Sequence, residues 1–265
     1  MCLILIVWRT HPEFPCVLAA NRDEYHDRPS ASAAWWPNDA DILAGRDLKS
    51  GGTWLGVTRE GRFAALTNFR DGRVARADAP SRGGLVAWAL QSRRSVPDTL
   101  DYLRAESARY NAFNMIVSDG QRLGVFESVI GEGRELDAGI YGLSNDLLDT
   151  PWPKVQNAKS GLAAALAGMH DETDILKLLR DARPAADADL PRTGLSLEWE
   201  RLLSSAFVHA QDYGTRCSTV FRLDRSGYAY FDEWSWDRAG RETERNSYRF
   251  CVQTGASPLG SGGAV

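Results

Sequence analysis

Short apolar runs alternate with turn residues along the first third of the chain, a pattern typical of β-strands. Apolar and largely β-branched residues fill positions 2–7, as in a strand that is covered on both faces. A Pro-containing turn separates this run from a second one at 16–20, which predicts a hairpin. The polar stretch from 21 to about 41 predicts a long loop, and two more strands are predicted at 53–57 and 62–68.

The middle of the chain is predicted to be largely helical. Ser81 is a suitable cap for one helix, and Pro97 at a first turn favours a second. Further helices are predicted at 153–166, 171–180 and 197–207, and further strands at 112–117, 122–127, 139–143, 216–223, 228–233 and 246–251. Strands at both ends with helices between them predict one α+β domain over 1–254, followed by a flexible Gly/Ser-rich tail at 255–265.

Composition limits the class of protein. The 265 residues are 43% apolar and 25% charged, which is typical of a globular domain and excludes a disordered chain. A net charge of −4 gives no sign of a nucleic-acid partner. No apolar run reaches the roughly 18 residues of a membrane span, and the N-terminus lacks the pattern of a signal peptide. We therefore expect a cytoplasmic protein, and its oligomeric state stays open.

Cysteine and histidine positions predict no metal site and no cofactor. The four cysteines form no C-x-x-C pair and have no zinc-like spacing with the four histidines. Cys2 is distinctive because it follows the initiator Met1. Removal of Met1 would leave its thiol beside an α-amine with a pKa of about 8, which makes a nucleophile with its own base. The alternative is that Cys2 is a small apolar residue that begins a buried strand.

Several polar residues at predicted strand ends are candidate site residues. The run Asn21, Arg22, Asp23 and Glu24 either holds an ammonium and a carboxylate group of a substrate or forms a solvated turn. Asn68 and Asn145 end strands, where a side-chain amide can donate to a developing oxyanion, although Asn is also a common turn residue. Arg216 opens a strand and either acts on a thiol or carboxylate or is a surface charge.

The remaining cysteines and the tryptophans are expected mainly to pack. Cys16 and Cys251 are predicted packing residues, and strand alternation predicts that Cys217 points to the face opposite Arg216. Nine tryptophans are an excess, and a few of them could line a site for a planar, apolar ligand.

Seven motifs occur in a fixed order and together closely resemble one family. They are Met1-Cys2, Asn21-Arg22-Asp23-Glu24, Gly51-Gly52-Thr53-Trp54-Leu55-Gly56, Leu66-Thr67-Asn68-Phe69-Arg70, Gly142-Leu143-Ser144-Asn145 with Pro151-Trp152-Pro153-Lys154-Val155 after it, Leu190-Pro191-Arg192-Thr193-Gly194, and Tyr213-Gly214-Thr215-Arg216-Cys217-Ser218-Thr219-Val220. The resemblance is to the NRDE family, also called the transport and Golgi organisation protein 2 family. It spans roughly residues 1–223 and weakens after about Asp232.

The resemblance implies a four-layer αββα sandwich of the N-terminal nucleophile hydrolase type, similar to choloylglycine hydrolase and penicillin V acylase. In that group a freed Cys attacks an amide carbonyl. Carried over motif by motif, Cys2 is the nucleophile, Asn145 the oxyanion donor, Asn68 the second asparagine and Arg216 the later arginine.

One departure from the acylase pattern concerns the first arginine and its carboxylate. The acylases space these two residues three apart, whereas Arg22 and Asp23 are adjacent. Asp23 is therefore expected to take the carboxylate role, with Glu24 as the alternative. Asn21, Arg22, Glu24 and Asn68 are the expected substrate-binding residues.

Two functions follow as hypotheses from the resemblance. The first is hydrolysis of a non-peptide C–N amide bond in a small, acylated substrate after Met1 is removed. The alternative is a non-enzymatic carrier of haem or of a lipid or acyl-CoA on the same fold, with a histidine or Cys2 as iron ligand. A third, weaker interpretation is an interaction protein with a degenerate pocket.

Overall fold

A computed structural model describes residues 2–166 and 172–253, with Cys2 described by its backbone alone. The strands are β1 (Cys2–Trp8), β2 (Cys16–Tyr25), β3 (Ser30–Trp36), β4 (Asp39–Asp47), β5 (Leu55–Thr58), β6 (Phe63–Asn68), β7 (Phe113–Ser118), β8 (Leu123–Glu127), β9 (Glu132–Glu135), β10 (Gly139–Leu143), β11 (Tyr213–Leu223), β12 (Tyr228–Trp236) and β13 (Glu242–Cys251). The helices are α1 (Gly83–Ser92), α2 (Val96–Glu106), α3 (Pro153–Leu166), α4 (Thr173–Leu179) and α5 (Leu197–Leu202). The predicted tail at 255–265 and His170 lie outside the described residues.

Two antiparallel sheets form the centre of the molecule. The first has the strand order β10-β1-β2-β11-β12-β13, and the second has the order β3-β4-β5-β6-β7-β8-β9. Helices α3 and α4 pack on the outer face of the first sheet, and α1 and α2 pack on the outer face of the second. The arrangement is helix, sheet, sheet, helix, so the predicted four-layer αββα class is confirmed.

Strand β1 shows why the apolar run at the N-terminus is unbroken. Ile4 and Ile6 point into the core between the two sheets. Leu3, Leu5 and Val7 point to the other face and pack against the helices. A strand with apolar layers on both sides needs apolar residues at every position, and the hydrophobic effect therefore fixes β1 in the interior.

The prediction of a long polar loop from 21 to about 41 is wrong, because most of this range is β-strand. Strand β2 continues through Asn21, Arg22 and Asp23 to Tyr25, and β3 and most of β4 follow. These three polar residues are buried. They belong to a strand because β2 lies between β1 and β11, which saturate its backbone on both sides, and because their side chains find buried partners.

Asn21 connects the first sheet to the helical layer above it. Its amide nitrogen donates to the carbonyl oxygens of Leu179, at the end of α4, and of Ala206, at 2.7 and 2.8 Å. Its amide oxygen accepts from the Ser218 hydroxyl at 2.6 Å. The side chain is 1% exposed, so no water replaces these bonds when one partner is lost.

Asn21→Ala is expected to lower the free energy of unfolding by about 3 kcal/mol, because it leaves two buried carbonyls and one hydroxyl without their partner. Urea unfolding measures the change. Asn157→Ala, at an exposed position of α3, is the matched control and should stay within about 0.5 kcal/mol of the unsubstituted protein. A loss below about 1 kcal/mol for Asn21→Ala would show that the contact contributes little.

Candidate active site

The end of β2 distributes its polar residues between two layers of the molecule. Asn21 points toward the helices. Asp23, two residues later, lies on the same face, where it accepts a hydrogen bond from the Thr215 hydroxyl at 2.7 Å. Arg22 points between the sheets, where its guanidinium stacks on the indole of Trp54. This alternation follows from the period of two in a β-strand. The structure therefore does not bring Asn21 and Arg22 together on one face.

Cys2 is the first residue of β1, and its Cα is paired with that of Arg22. On the other side of β1, Leu143 at the end of β10 is paired with Ile4. Because these strands are antiparallel, the chain continues past Leu143 toward the start of β1, and Asn145 follows two residues later. The predicted nucleophile position, Arg22 and Asn145 thus lie at one end of the first sheet.

The two predicted asparagines meet at this end. The side-chain amide of Asn145 donates to the backbone carbonyl of Asn68 at 2.8 Å. The backbone carbonyl of Asn145 accepts from the Arg70 amide at 2.7 Å. Asn145 is fully buried and holds the end of β6 in the second sheet against the loop that follows β10 in the first.

The two alternatives for the carboxylate differ in environment. Asp23 is 2% exposed, and burial raises the pKa of its carboxyl, opposed by the positive charges of Lys154 and Arg22 and by the Thr215 hydrogen bond. Glu24 is partly exposed, accepts a hydrogen bond from the Tyr25 amide at 2.9 Å, and forms wide ion pairs, at 3.9 Å with Arg22 and 3.7 Å with Arg28. The carboxyl of Asp23 is therefore the one held in a defined, desolvated position.

Arg22 is a buried cation with few polar partners. Its side chain is 6% exposed and stacks on Trp54, with the guanidinium carbon 4.3 Å from the ring centre. The Trp54 ring lies directly over Gly45, where a Cβ would come within 2.4 Å of it, so the absence of a side chain at Gly45 makes room for the stack. The Nη1 of Arg22 has no hydrogen-bond acceptor among the described residues.

Arg216 occupies a β-bulge in β11. The register of β11 against β2 shifts between Thr215, opposite Asp23, and Cys217, opposite Arg22. Arg216 is the extra residue, and its Nη1 donates to the carbonyls of Tyr25 and Arg28 at 2.9 and 3.1 Å. Burial lowers its pKa, and the nearby charge of Arg22 adds to the effect.

The bulge also changes the position of Cys217 relative to Arg216. Simple alternation predicts that the two residues lie on opposite faces, but both line the same cavity between the sheets. That prediction is wrong because a bulge interrupts the period of two. Cys217 is buried there and donates a hydrogen bond to the carboxyl of Glu233.

Two cavities adjoin Arg22 and Trp54. The smaller, of about 120 Å³, is lined by Trp54 and by four predicted site residues, namely Arg22, Asp23, Glu24 and Asn68. The other, of about 210 Å³, is lined by Arg22 and Trp54 together with Arg216, Cys217 and Glu233. A hollow of about 1140 Å³ beside α3 is lined by none of the predicted site residues.

Three residues of this region were not predicted from the sequence as site residues. Trp54 lies in the quoted Gly-rich motif, and its position after Gly52 is a usable signal. Lys154, also in a quoted motif, is buried and its charge acts on Asp23. Glu233 belongs to an apolar strand without a motif, so only the structure identifies it.

Most of the tryptophans are buried packing residues, whereas Cys16 and Cys251 differ in burial. Trp8, Trp36, Trp152, Trp234 and Trp236 are buried in the cores. Cys16 is buried, as predicted, and burial raises the pKa of its thiol to about 12. Cys251 is exposed on the edge strand β13, so its prediction as a packing residue is wrong.

Residues 2–166 and 172–253 contain no candidate metal centre and no membrane-spanning helix. Within these ranges no three His, Cys, Asp or Glu side chains are grouped so that they could hold a metal ion. No helix in the same ranges has the length and apolar character needed to cross a bilayer.

Glu233→Gln tests the electrostatics of the larger site cavity. Burial raises the pKa of Glu233 above its ordinary value of 4.5, so the folded protein loses stability as the pH rises from that value toward the folded-state pKa. The variant lacks this loss. Its free energy of unfolding should therefore increase relative to the unsubstituted protein between pH 5 and pH 8, by about 1.4 kcal/mol for each unit of pKa difference.

Urea unfolding at both pH values measures this difference, and Glu198→Gln, at an exposed position of α5, is the control without a pH-dependent gain. A relative stability of Glu233→Gln that is flat or falls with pH would mean that Glu233 is ionised in the folded protein.

Comparison with known proteins places the chain in a family. The family model described as Transport and Golgi organisation 2 matches residues 1–238. The Transport and Golgi organization 2 homolog of Mus musculus is 34% identical over 281 residues, covering 96% of this chain and 100% of that protein. The Bos taurus homolog is 36% identical over 283 residues, covering 94% and 99%.

Solved structures show the same fold at much lower identity. Variant R18L of conjugated bile acid hydrolase from Clostridium perfringens is similar with a TM-score of 0.53 at 10% sequence identity, covering 98% of this chain and 100% of that one. This likeness concerns the fold alone. The chain belongs to the transport and Golgi organisation 2 family.

Proposed function

We propose that the chain is an N-terminal cysteine hydrolase that cleaves a non-peptide C–N amide bond of a small, acylated substrate once Met1 has been removed. One observation carries the proposal, namely that the backbone register places Cys2 opposite Arg22 at the end of the sheet where Asn145 joins Asn68. The fold shared with conjugated bile acid hydrolase supports it.

The α-amine of Cys2 is the proposed base. It takes the thiol proton, and the thiolate attacks the amide carbonyl carbon, so that a C–S bond forms and the carbonyl electron pair moves to oxygen. When this tetrahedral intermediate collapses, the C–N bond breaks and the leaving nitrogen takes the proton from the ammonium group. Water, deprotonated by the same amine, then attacks the acyl carbon, so that a C–O bond forms and the C–S bond breaks. The departing thiolate recovers the proton from the ammonium group as the acid is released.

Asn145 is the proposed donor to the oxyanion. A side-chain amide has two N–H groups, and one of them donates to the Asn68 carbonyl. This bond fixes the plane of the amide, and the second N–H remains for the negative oxygen. A donor that is held rigidly before reaction needs no reorganisation as charge develops, which is the main advantage of an oxyanion hole.

Asp23 and Arg216 have proposed supporting roles. The carboxylate of Asp23 would hold the ammonium form of the Cys2 amine, because Asp23 is the buried acid next to the residue paired with Cys2. Arg216 would contribute positive potential beside the thiolate, since it is partly buried and close to Arg22.

The experiment has two parts. Intact-mass analysis of the purified protein should show that Met1 is absent, and the protein should release free acid from a panel of N-acyl amides. Cys2→Ala should lower kcat/KM by at least about 1000-fold, because no other group replaces a covalent nucleophile. Cys251→Ser, which changes an exposed thiol far along the chain, should leave activity unchanged.

Either of two results would reject the mechanism. Retained Met1 in an active enzyme would leave Cys2 without a free amine. Full turnover by Cys2→Ala would show that the thiol is not the nucleophile.

A further inference from the structure

The larger of the two site cavities contains two guanidinium groups that lack a close counter-ion. Arg22 and Arg216 both line it. The bonds of Arg216 go to backbone carbonyls, and Nη1 of Arg22 is buried without an acceptor in the part of the chain that the structure describes. Buried donors in a folded protein are normally paired, so an unpaired Nη1 on a guanidinium group that lines a cavity points to an anionic ligand.

The acidic residues around the cavity do not fill this role. Both carboxyl oxygens of Glu233 are engaged, accepting from the Ala33 amide at 2.6 Å and the Thr219 hydroxyl at 3.2 Å, and the Cys217 thiol donates to the same carboxyl. Glu244 accepts from the Ser32 hydroxyl at 2.5 Å.

Glu24 is the acid that shares the face of β2 with Arg22. Its carboxylate is 3.9 Å from Arg22 and 3.7 Å from Arg28, beyond hydrogen-bond distance of either. It lowers the excess positive charge of the cavity without satisfying the buried Nη1 donor. The remaining excess suits a monoanion better than a multiply charged group.

We propose that this cavity is a subsite for a carboxylate group of the substrate, held between Arg22 and Arg216. This inference rests on the proposed hydrolase function and names a class of substrate for it, namely amides that also carry a carboxylate. The planar fork of a guanidinium matches a carboxylate in geometry and charge.

The size and position of the cavity agree with such a substrate. Its volume of about 210 Å³ equals that of roughly seven water molecules, enough for a carboxylate and a few carbon atoms. It adjoins the smaller cavity through Arg22 and Trp54, and Asn68 lines that smaller cavity. A substrate that spans the Arg22–Trp54 stack would have its amide near the asparagines and its carboxylate near Arg216.

Binding to Cys2→Ala tests the subsite without turnover. Isothermal titration would compare N-octanoylglycine, with the carboxylate on the amine side, and N-octylsuccinamic acid, with it on the acyl side, each against its neutral primary-amide analogue. At least one acid should bind about tenfold or more tightly than its analogue, and which acid does so assigns the side. The difference should shrink as ionic strength rises.

Arg216→Gln should remove this preference, because it lowers the affinity for the acid more than the affinity for the neutral analogue. Arg238→Gln is the matched control, because Arg238 is exposed and lies near Arg216 without lining the cavity. If Arg216→Gln does not fold, the comparison of acid with neutral analogue in Cys2→Ala still tests the subsite.

The outcomes separate the subsite from the proposed function. Equal affinity for acid and analogue, or no binding of either acid, overturns the subsite. Wild-type enzyme that hydrolyses acidic and neutral amides with the same kcat/KM also overturns it while sustaining the hydrolase. A carboxylate preference in the binding assay supports the subsite even if the unsubstituted protein hydrolyses neither amide.

Discussion

The burial of polar residues in β2 is the constraint on which the rest of the structure depends. Three consecutive polar side chains of this strand lie in the interior, and each must recover the hydrogen bonds or charge interactions that it loses in leaving water. Asn21 recovers them from backbone carbonyls of the helical layer, Asp23 from Thr215 of β11, and Arg22 partly from Trp54 of the second sheet. One short segment thereby connects three of the four layers.

The sequence predicts most of the fold, and this constraint explains the part that it does not predict. The apolar strands β1 and β6 and the helix α3 are predicted because hydrophobic burial alone places them. Strand β2 past Ala20 is not predicted, because its residues have the composition of a loop. Only the tertiary environment, with a strand on each side and a buried partner for each polar group, makes the extended conformation favourable there.

The candidate site is predictable to a different degree. The ordered motifs make Cys2, Asn68, Asn145 and Arg216 candidates, and the structure brings the last three to the same end of the sandwich as the backbone of Cys2. The bulge at Arg216 was beyond prediction, because nothing in the residues 213–220 distinguishes a bulged strand from a regular one. A single inserted residue turns Arg216 to the cavity that Cys217 also lines, and so doubles the positive charge there.

The period of a β-strand separates the two acids that follow Arg22. The acylases that the chain resembles space their arginine and aspartate three residues apart, whereas Arg22 and Asp23 are adjacent. Both spacings are odd, and in a strand an odd spacing places two side chains on opposite faces. Glu24, two residues from Arg22, is instead on the arginine's own face, as its ion pair with Arg22 shows. The two acids are therefore divided between two layers, with Asp23 buried beside Thr215 on the helix side and Glu24 on the side of Arg22 between the sheets.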